Sequence, residues 1–294
     1  MPSLEERIAN LTPAQQKLLA RRLGQTPAAS RIPPREIIGP VPASPIQTRW
    51  WFLNQLEPDD PAPNRAKLLE FEGLPETETL RRALETIIQR HEALRTVFFF
   101  REGQLYQQIL DEWELPFAEI DLREAEDDEV RTFIRGQIRE PFHLGEQIPI
   151  RGALLRVGPA RSQFLIVNHH IAGDHWSSQI ILRELTALLR GETLPAVPLQ
   201  YADFAVWQAA RLAGGLLDEQ LAYWRRQLAG EAPVLELPEL RRAEGAPPTD
   251  GARHSAALPA ELLAGLQALA RAAEATLPIV ILAVFKVLLH RYSG

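Results

Sequence analysis

The segment Asn168-His169-His170-Ile171-Ala172-Gly173-Asp174-His175-Trp176-Ser177 joins two patterns of different period. Residues 164–168, before it, are a short apolar run that reads as a strand, paired with residues 150–157 across a turn at Gly158-Pro159-Ala160. After it, Ile181, Leu185, Leu188 and Leu189 recur at helical spacing. A strand leading through a polar loop into a helix requires a fold that mixes both element types, and such loops carry functional groups at cleft edges. Side chains alternate faces along a strand, so His169 and His170 point to opposite sides, and one can be buried while the other meets a cleft. Asp174 lies four residues beyond His170 with Gly173 between them, which lets the chain turn a carboxylate under the imidazole or onto a nearby cation. That is the layout of a positioned base.

The remainder of the chain narrows the chemistry. With no cysteine there is no disulfide, no thiolate metal site and no cysteine nucleophile. Acidic residues outnumber basic ones, 38 to 32, so the net charge of -6 offers no basic face to a nucleic-acid backbone. His169 and His170, on opposite strand faces, do not readily share one ion, and no metal site is expected. Residues 1–22 lack the continuous apolar core of a secretory signal. The run 277–289, interrupted by Lys286, falls short of the roughly 20 residues of a membrane helix and reads as a buried helix. A cytoplasmic protein with no membrane partner is the expectation.

At 294 residues the chain is long enough for one large or two modest domains. Residues 1–34 read as a leading helical segment and a Pro/Gly/Ser-rich linker. Within 35–229, strands are expected at 68–71, 97–101 and 105–109, the last two as a hairpin around Glu102-Gly103. Helices are expected through Leu80, Ala83, Leu84, Ile87 and Ile88, after Asp128, and over 201–213 and 216–228. The tryptophans Trp50 and Trp51 read as core. Residues 230–251, with Pro233, Pro238, Pro247 and Pro248, form the expected boundary. A strand near 255–258, a helix over 259–273 and the apolar helix from Pro278 occupy 252–294.

Four blocks in order resemble the condensation domains of nonribosomal peptide synthetases. His169-His170-Ile171-Ala172-Gly173-Asp174 matches the family's HHxxxD signature. Ser44-Pro45-Ile46-Gln47-Thr48-Arg49 with Trp51 and Leu53 resembles its first core motif, Arg90-His91-Glu92-Ala93-Leu94-Arg95-Thr96-Val97-Phe98 its second, and Tyr201-Ala202-Asp203-Phe204-Ala205-Val206-Trp207 its fourth. The resemblance implies an α/β chloramphenicol-acetyltransferase-like lobe, a mixed sheet flanked by helices, followed by the start of a second similar lobe that breaks off early. It implies amide formation between a donor acyl or peptidyl thioester and the amine of an acceptor aminoacyl thioester. Both are carried on phosphopantetheine arms of partner carrier domains, with an adenylation domain as neighbour and no cofactor bound directly.

By the same resemblance His170 is the catalytic residue, with His169 buried and Asp174 paired to an arginine, for which Arg49 is the candidate. Gly173, His175, Trp176 and Ser177 are candidates for lining the tunnel or, through backbone N–H groups, for steadying an oxyanion. His91 and the 201–207 block read as packing. His175 departs from the family's usual glycine after the aspartate and either fits an ordinary backbone or narrows the tunnel. Two readings compete: a fragment that binds carriers without turnover, and a superfamily acyltransferase acting on a free small molecule.

Overall fold

The computed structural model describes residues 32–37, 39–230, 234–235 and 254–293. The expectations for 1–31 and for most of 230–251 lie outside the described residues. The chain divides into two compact units, Met1–Gln220 and Leu221–Gly294. The division falls ahead of the expected Pro-rich boundary, inside a helix none of whose residues is buried.

In the first unit the elements run β1 (Val41–Pro42), α1 (Pro45–Leu56), β2 (Asn64–Glu72), α2 (Thr77–Arg90), a 3-10 turn (Glu92–Arg95), β3 (Thr96–Arg101), β4 (Gln104–Ile109), β5 (Phe117–Asp121), α3 (Asp127–Arg139), β6 (Ile150–Gly158) and β7 (Arg161–His169). A second 3-10 turn (His170–Ala172), α4 (His175–Leu189) and α5 (Tyr201–Arg211) follow. The turn Leu212–Leu216, where Gly215 takes φ 92°, leads into α6 (Leu217–Gln227).

The main sheet has the order β2-β7-β6-β5, antiparallel except for the β5/β6 pair. Parallel neighbours need a long crossover, and α3 supplies it. Because both faces of β6 and β7 are covered, their side chains sort by period 2 into two cores. Leu154, Phe164 and Ile166 pack with Leu84, Ile87 and Ile88 of α2 and Leu185 of α4. Ala153, Leu155, Leu165 and Val167 face the other way, with Phe133, Ile134 and Ile138 of α3 against them. A smaller sheet, β1-β4-β3, adds Phe98 and Leu105 to this second core. Its β3/β4 hairpin turns on Glu102 and Gly103, both at positive φ, as a two-residue hairpin with right-handed strand twist requires.

The second-motif block is a structural clamp. Glu184 of α4 lies 2.9 Å from His91 Nε2 and accepts from Arg90 Nε at 3.2 Å. Burial alone would raise the Glu184 carboxyl, and the hydrogen bonds from Arg90 and His91 overcome it and hold it below the usual range. Gln200 donates to Arg90 O and accepts from Glu92 N, and Arg35 bridges Glu92 and Asp203 at 2.9 Å each. One carboxylate on α4 thus fastens the end of α2, and one amide fastens the start of α5.

The second unit holds α7 (Ala260–Ala272) and α8 (Leu277–Ser293). Residues 254–259, expected to contain a strand, have no regular structure: among the described residues of this unit no strand is present to pair with them, and a strand needs backbone partners. The apolar helix forms, but not as a buried one. Val280 is buried while Ile279, Leu282 and Phe285 are exposed, because α7 is the element packed against α8 among the described residues of the unit. No single helix among the described residues is long and apolar enough to cross a membrane.

Glu184→Ala leaves Arg90 and His91 without their shared acceptor in a largely buried setting. The expected cost is about 3 kcal/mol, read as a lower urea midpoint at unchanged m. A midpoint equal to the parent's would show that the clamp is dispensable.

Candidate active site

The two histidines sit where β7 ends. The backbone stays extended through His169 and then tightens into the 3-10 turn of residues 170–172, so the second imidazole leaves the strand's plane. His169 N donates to Pro149 O at 3.0 Å and His170 N to Pro63 O at 2.9 Å, which carries the backbone ladder one step past the strand.

His169 is 1% exposed. Its Nδ1 accepts from Ile171 N at 3.0 Å, so the neutral ring carries its proton on Nε2, which is buried without a hydrogen-bond partner. Phe142 meets the ring edge-on, with centroids 6.1 Å apart. Burial, and then the neighbouring His170, push its pKa down to about 4. At neutral pH this imidazole is uncharged and turned away from solvent.

His170 is only half-buried and stacks on Trp50, centroids 4.5 Å apart and planes 18° from parallel. Its Nε2 lies 2.9 Å from Arg65 Nη2. With Ile46, Trp50, Gly173, Asp174, Ser177 and Tyr201 it lines a cavity of about 310 Å³. Tyr201 shares a hydrogen bond of 2.8 Å with Ser44, the N-cap of α1, and burial raises its phenol above the usual range.

Asp174 has a different partner from the one expected. Its Oδ1 accepts from Ser177 N and Ser177 Oγ, both at 2.9 Å, and its own N–H donates to Ser177 Oγ at 3.1 Å. It is the N-cap of α4, where a carboxylate satisfies the free N–H groups and sits at the positive end of the helix dipole. These bonds, the backbone one first, hold its pKa below the usual carboxylate range. Arg49 is exposed on α1 and forms no ion pair with Asp174. The expected Arg49–Asp174 pair is therefore replaced by a cap, because the helix start lies within one turn and already supplies the donors.

Gly173 has extended φ and ψ that any residue adopts, but a Cβ there would lie 2.7 Å from Ser177 Cβ, so glycine is required by the tight cap. His175 is the first residue of α4, in ordinary helical backbone, and exposed. Trp176 is 75% exposed, and neither it nor His175 lines the cavity. Two N–H groups of the loop are already engaged, that of Gly173 with His170 O at 3.4 Å and that of Asp174 with Ser177. They are not free to steady an oxyanion. No group of three or more His, Asp or Glu among the described residues is placed to hold a metal ion.

Three residues around the site, Trp50 and Tyr201 in the cavity wall and Arg65 beside His170, carry no local signal of their role. Trp50 and Tyr201 lie in segments whose pattern points to core and packing, and Arg65 precedes the expected strand 68–71. The strand in fact starts at Asn64, and its register pairs Arg65 with Asn168. The alternation of β2 breaks at Leu68-Leu69, so it is the cross-strand register that brings Arg65 to the histidine pair.

A mixed sheet between helical layers, with a histidine-bearing strand end opening on a cleft, defines the chloramphenicol-acetyltransferase-like α/β class. The chain belongs to the condensation-domain family, whose profile, "Condensation domain", matches residues 37–294. It is 40% identical to phosphinothricin tripeptide synthetase PhsC of Streptomyces viridochromogenes over 311 aligned positions, covering 100% of this chain and 28% of that protein. It is 36% identical to tyrocidine synthase 3 of Brevibacillus parabrevis, covering 89% of this chain and 4% of the relative. The chain thus spans a small part of the curated relatives it matches. Among solved structures, the complex of the X-domain and OxyB from teicoplanin biosynthesis aligns at 27% identity and TM-score 0.75, over 90% of this chain and 59% of that one. A starter condensation domain of rhizomide synthetase RzmA, at 24% identity, shares the fold with TM-score 0.60 over 67% of this chain and 50% of that one.

His169 makes stability pH-dependent. Its folded pKa of about 4 lies below the unfolded value of about 6.5, so the unfolded chain binds the extra proton between them. The stabilisation is complete above about pH 6.5 and is lost as pH falls toward 4. Over that window the parent should lose up to about 3 kcal/mol more than His169→Gln, measured by urea unfolding at stepped pH. Parallel pH profiles for the two proteins would show that the ring titrates normally. Gly173→Ala should separately cost about 1–2 kcal/mol by displacing Ser177 from the cap, visible as a lower Tm.

Proposed function

We propose that this chain serves the amide-forming step of nonribosomal peptide synthesis, with His170 as the group that handles the proton of the attacking amine. The observation that carries the reading is the division of labour between the two imidazoles. His169 is sealed in the core with its Nδ1 tied to the backbone, while His170 lines the cavity, its Nε2 within 2.9 Å of the exposed Arg65 guanidinium.

The chemistry asks little beyond placement. An acceptor amine attacks the carbonyl of a donor thioester, so a C–N bond forms and a C–S bond breaks. The amine proton passes to His170 Nε2 and on to the departing thiolate. A thioester is already activated, and a neutral imidazole is a competent proton acceptor. Holding the two reactants together supplies much of the rate. Both reactants would arrive on phosphopantetheine arms of donor and acceptor carrier domains, with an adenylation domain nearby and no cofactor held by this chain. The 40% identity to a tripeptide synthetase supports this reading of substrate class. A cytoplasmic setting fits it.

A second reading has an observation of its own. A domain from teicoplanin biosynthesis with this fold was solved in complex with another protein, OxyB, so the fold also serves as a binding module. Turnover separates the two. With loaded donor and acceptor carriers, His170→Ala should lower the rate of amide formation about 10²- to 10⁴-fold, followed by mass spectrometry of the product. Unchanged amide formation would sink the role of His170. Carrier binding with no product from the parent would favour the binding module, and product from acyl-coenzyme A and a free amine would favour a small-molecule acyltransferase.

A further inference from the structure

Arg65 is the cleft-side charge that this scheme leaves without a role. It is the second residue of β2, the edge strand of the main sheet, and is register-paired with Asn168 of β7. Cross-strand partners share a face, and His170 follows two residues beyond Asn168, at the start of the turn that ends the strand. The bond from His170 N to Pro63 O, 2.9 Å, fixes the offset between the two chains past the end of the strand. The outcome is a guanidinium nitrogen 2.9 Å from His170 Nε2, with Trp50 covering the ring at 4.5 Å.

A guanidinium has five donors, no acceptor and a permanent charge. The contact therefore has one chemical meaning: Nε2 offers its lone pair, and the proton of the neutral ring sits on Nδ1. We propose that Arg65 is a positioning residue for His170, holding the imidazole in the Nδ1–H tautomer so that Nε2 is ready to accept a proton from the incoming amine, which takes the guanidinium's place. Arg65 is exposed, so nothing buried holds it there once a better donor arrives. Trp50 keeps the ring plane while the partner at Nε2 changes. Without Arg65 the proton is free to sit on Nε2, where it puts a donor at the place an acceptor is needed. The role rests on the reading of His170 as the reactive imidazole.

The tautomer is directly measurable. The full chain, labelled with 15N at its 7 histidines, gives long-range proton–nitrogen spectra in which protonated and unprotonated ring nitrogens resonate far apart; a His170→Gln spectrum assigns the signal. At pH about 8, above the ordinary imidazole range, the parent should show His170 Nε2 unprotonated. Arg65→Met should move that resonance toward the protonated position, and Arg65→Glu, whose carboxylate only accepts, should move it there fully. Both are surface substitutions, and the backbone amide spectrum reports that the fold is kept. A protonated Nε2 in the parent, or one unchanged in both variants, overturns the proposal. The measurement uses neither carrier nor thioester, so it can fail while amide formation through His170 stands, and the reverse.

Discussion

The structure depends on β7 being covered on both faces. Phe164 and Ile166 are fixed by α2 and α4, Leu165 and Val167 by the opposite core, and so the strand has no freedom to slip by one residue without exchanging its two cores. That constraint runs straight into the histidine pair. Because Val167 belongs to one core and Asn168 faces Arg65 of β2 across the ladder, His169 is forced inward and His170 is delivered to the cleft. The chemistry at the end of the strand is set by apolar packing along its length.

Around that strand end, three polar devices divide the work. The capping pair of Asp174 and Ser177 starts α4 and holds the loop, the Glu184 clamp fastens α4 to the end of α2, and the Ser44–Tyr201 bond ties the start of α1 to α5 across the cavity. Each device uses charged or hydroxyl groups to satisfy helix ends or buried partners, which leaves His170 as the cavity's imidazole. Asp174 is therefore close to the reactive residue without acting on it: its carboxylate accepts from Ser177 N and Ser177 Oγ, and those bonds come first among the causes of its lowered pKa.

Much of this is legible in the amino-acid pattern, and the misses share a cause. Elements with strong period, such as α2 through Leu80, Leu84, Ile87 and Ile88 or the hairpin around Glu102-Gly103, come from local sequence and fall within a few residues of their expected places. The order of the four motif blocks makes the family readable. What escapes the pattern is anything decided by a distant partner. Residues 254–259, expected to contain a strand, have no strand to pair with among the described residues of their unit, the 277–293 helix has an apolar face with α7 beside it in its unit, and Asp174 has two possible partners of which the nearer wins. Arg65 is invisible because its importance lies in a cross-strand register, which no single segment encodes.

The histidine pair shows why adjacency matters physically. Two imidazoles on neighbouring residues would repel if both were charged, and the lowered pKa of His169 contains a contribution from His170 as well as from burial. Sealing one ring as a neutral hydrogen-bond acceptor for Ile171 N removes that competition, so a proton entering the cavity meets one imidazole. The buried ring in turn holds the turn that lifts its neighbour out of the strand, since Ile171 lies inside the 3-10 segment. His169 thus shapes the site through backbone geometry and desolvation, and the cost of keeping an unpaired Nε2 in the core is the condition for having a single imidazole lining the cavity.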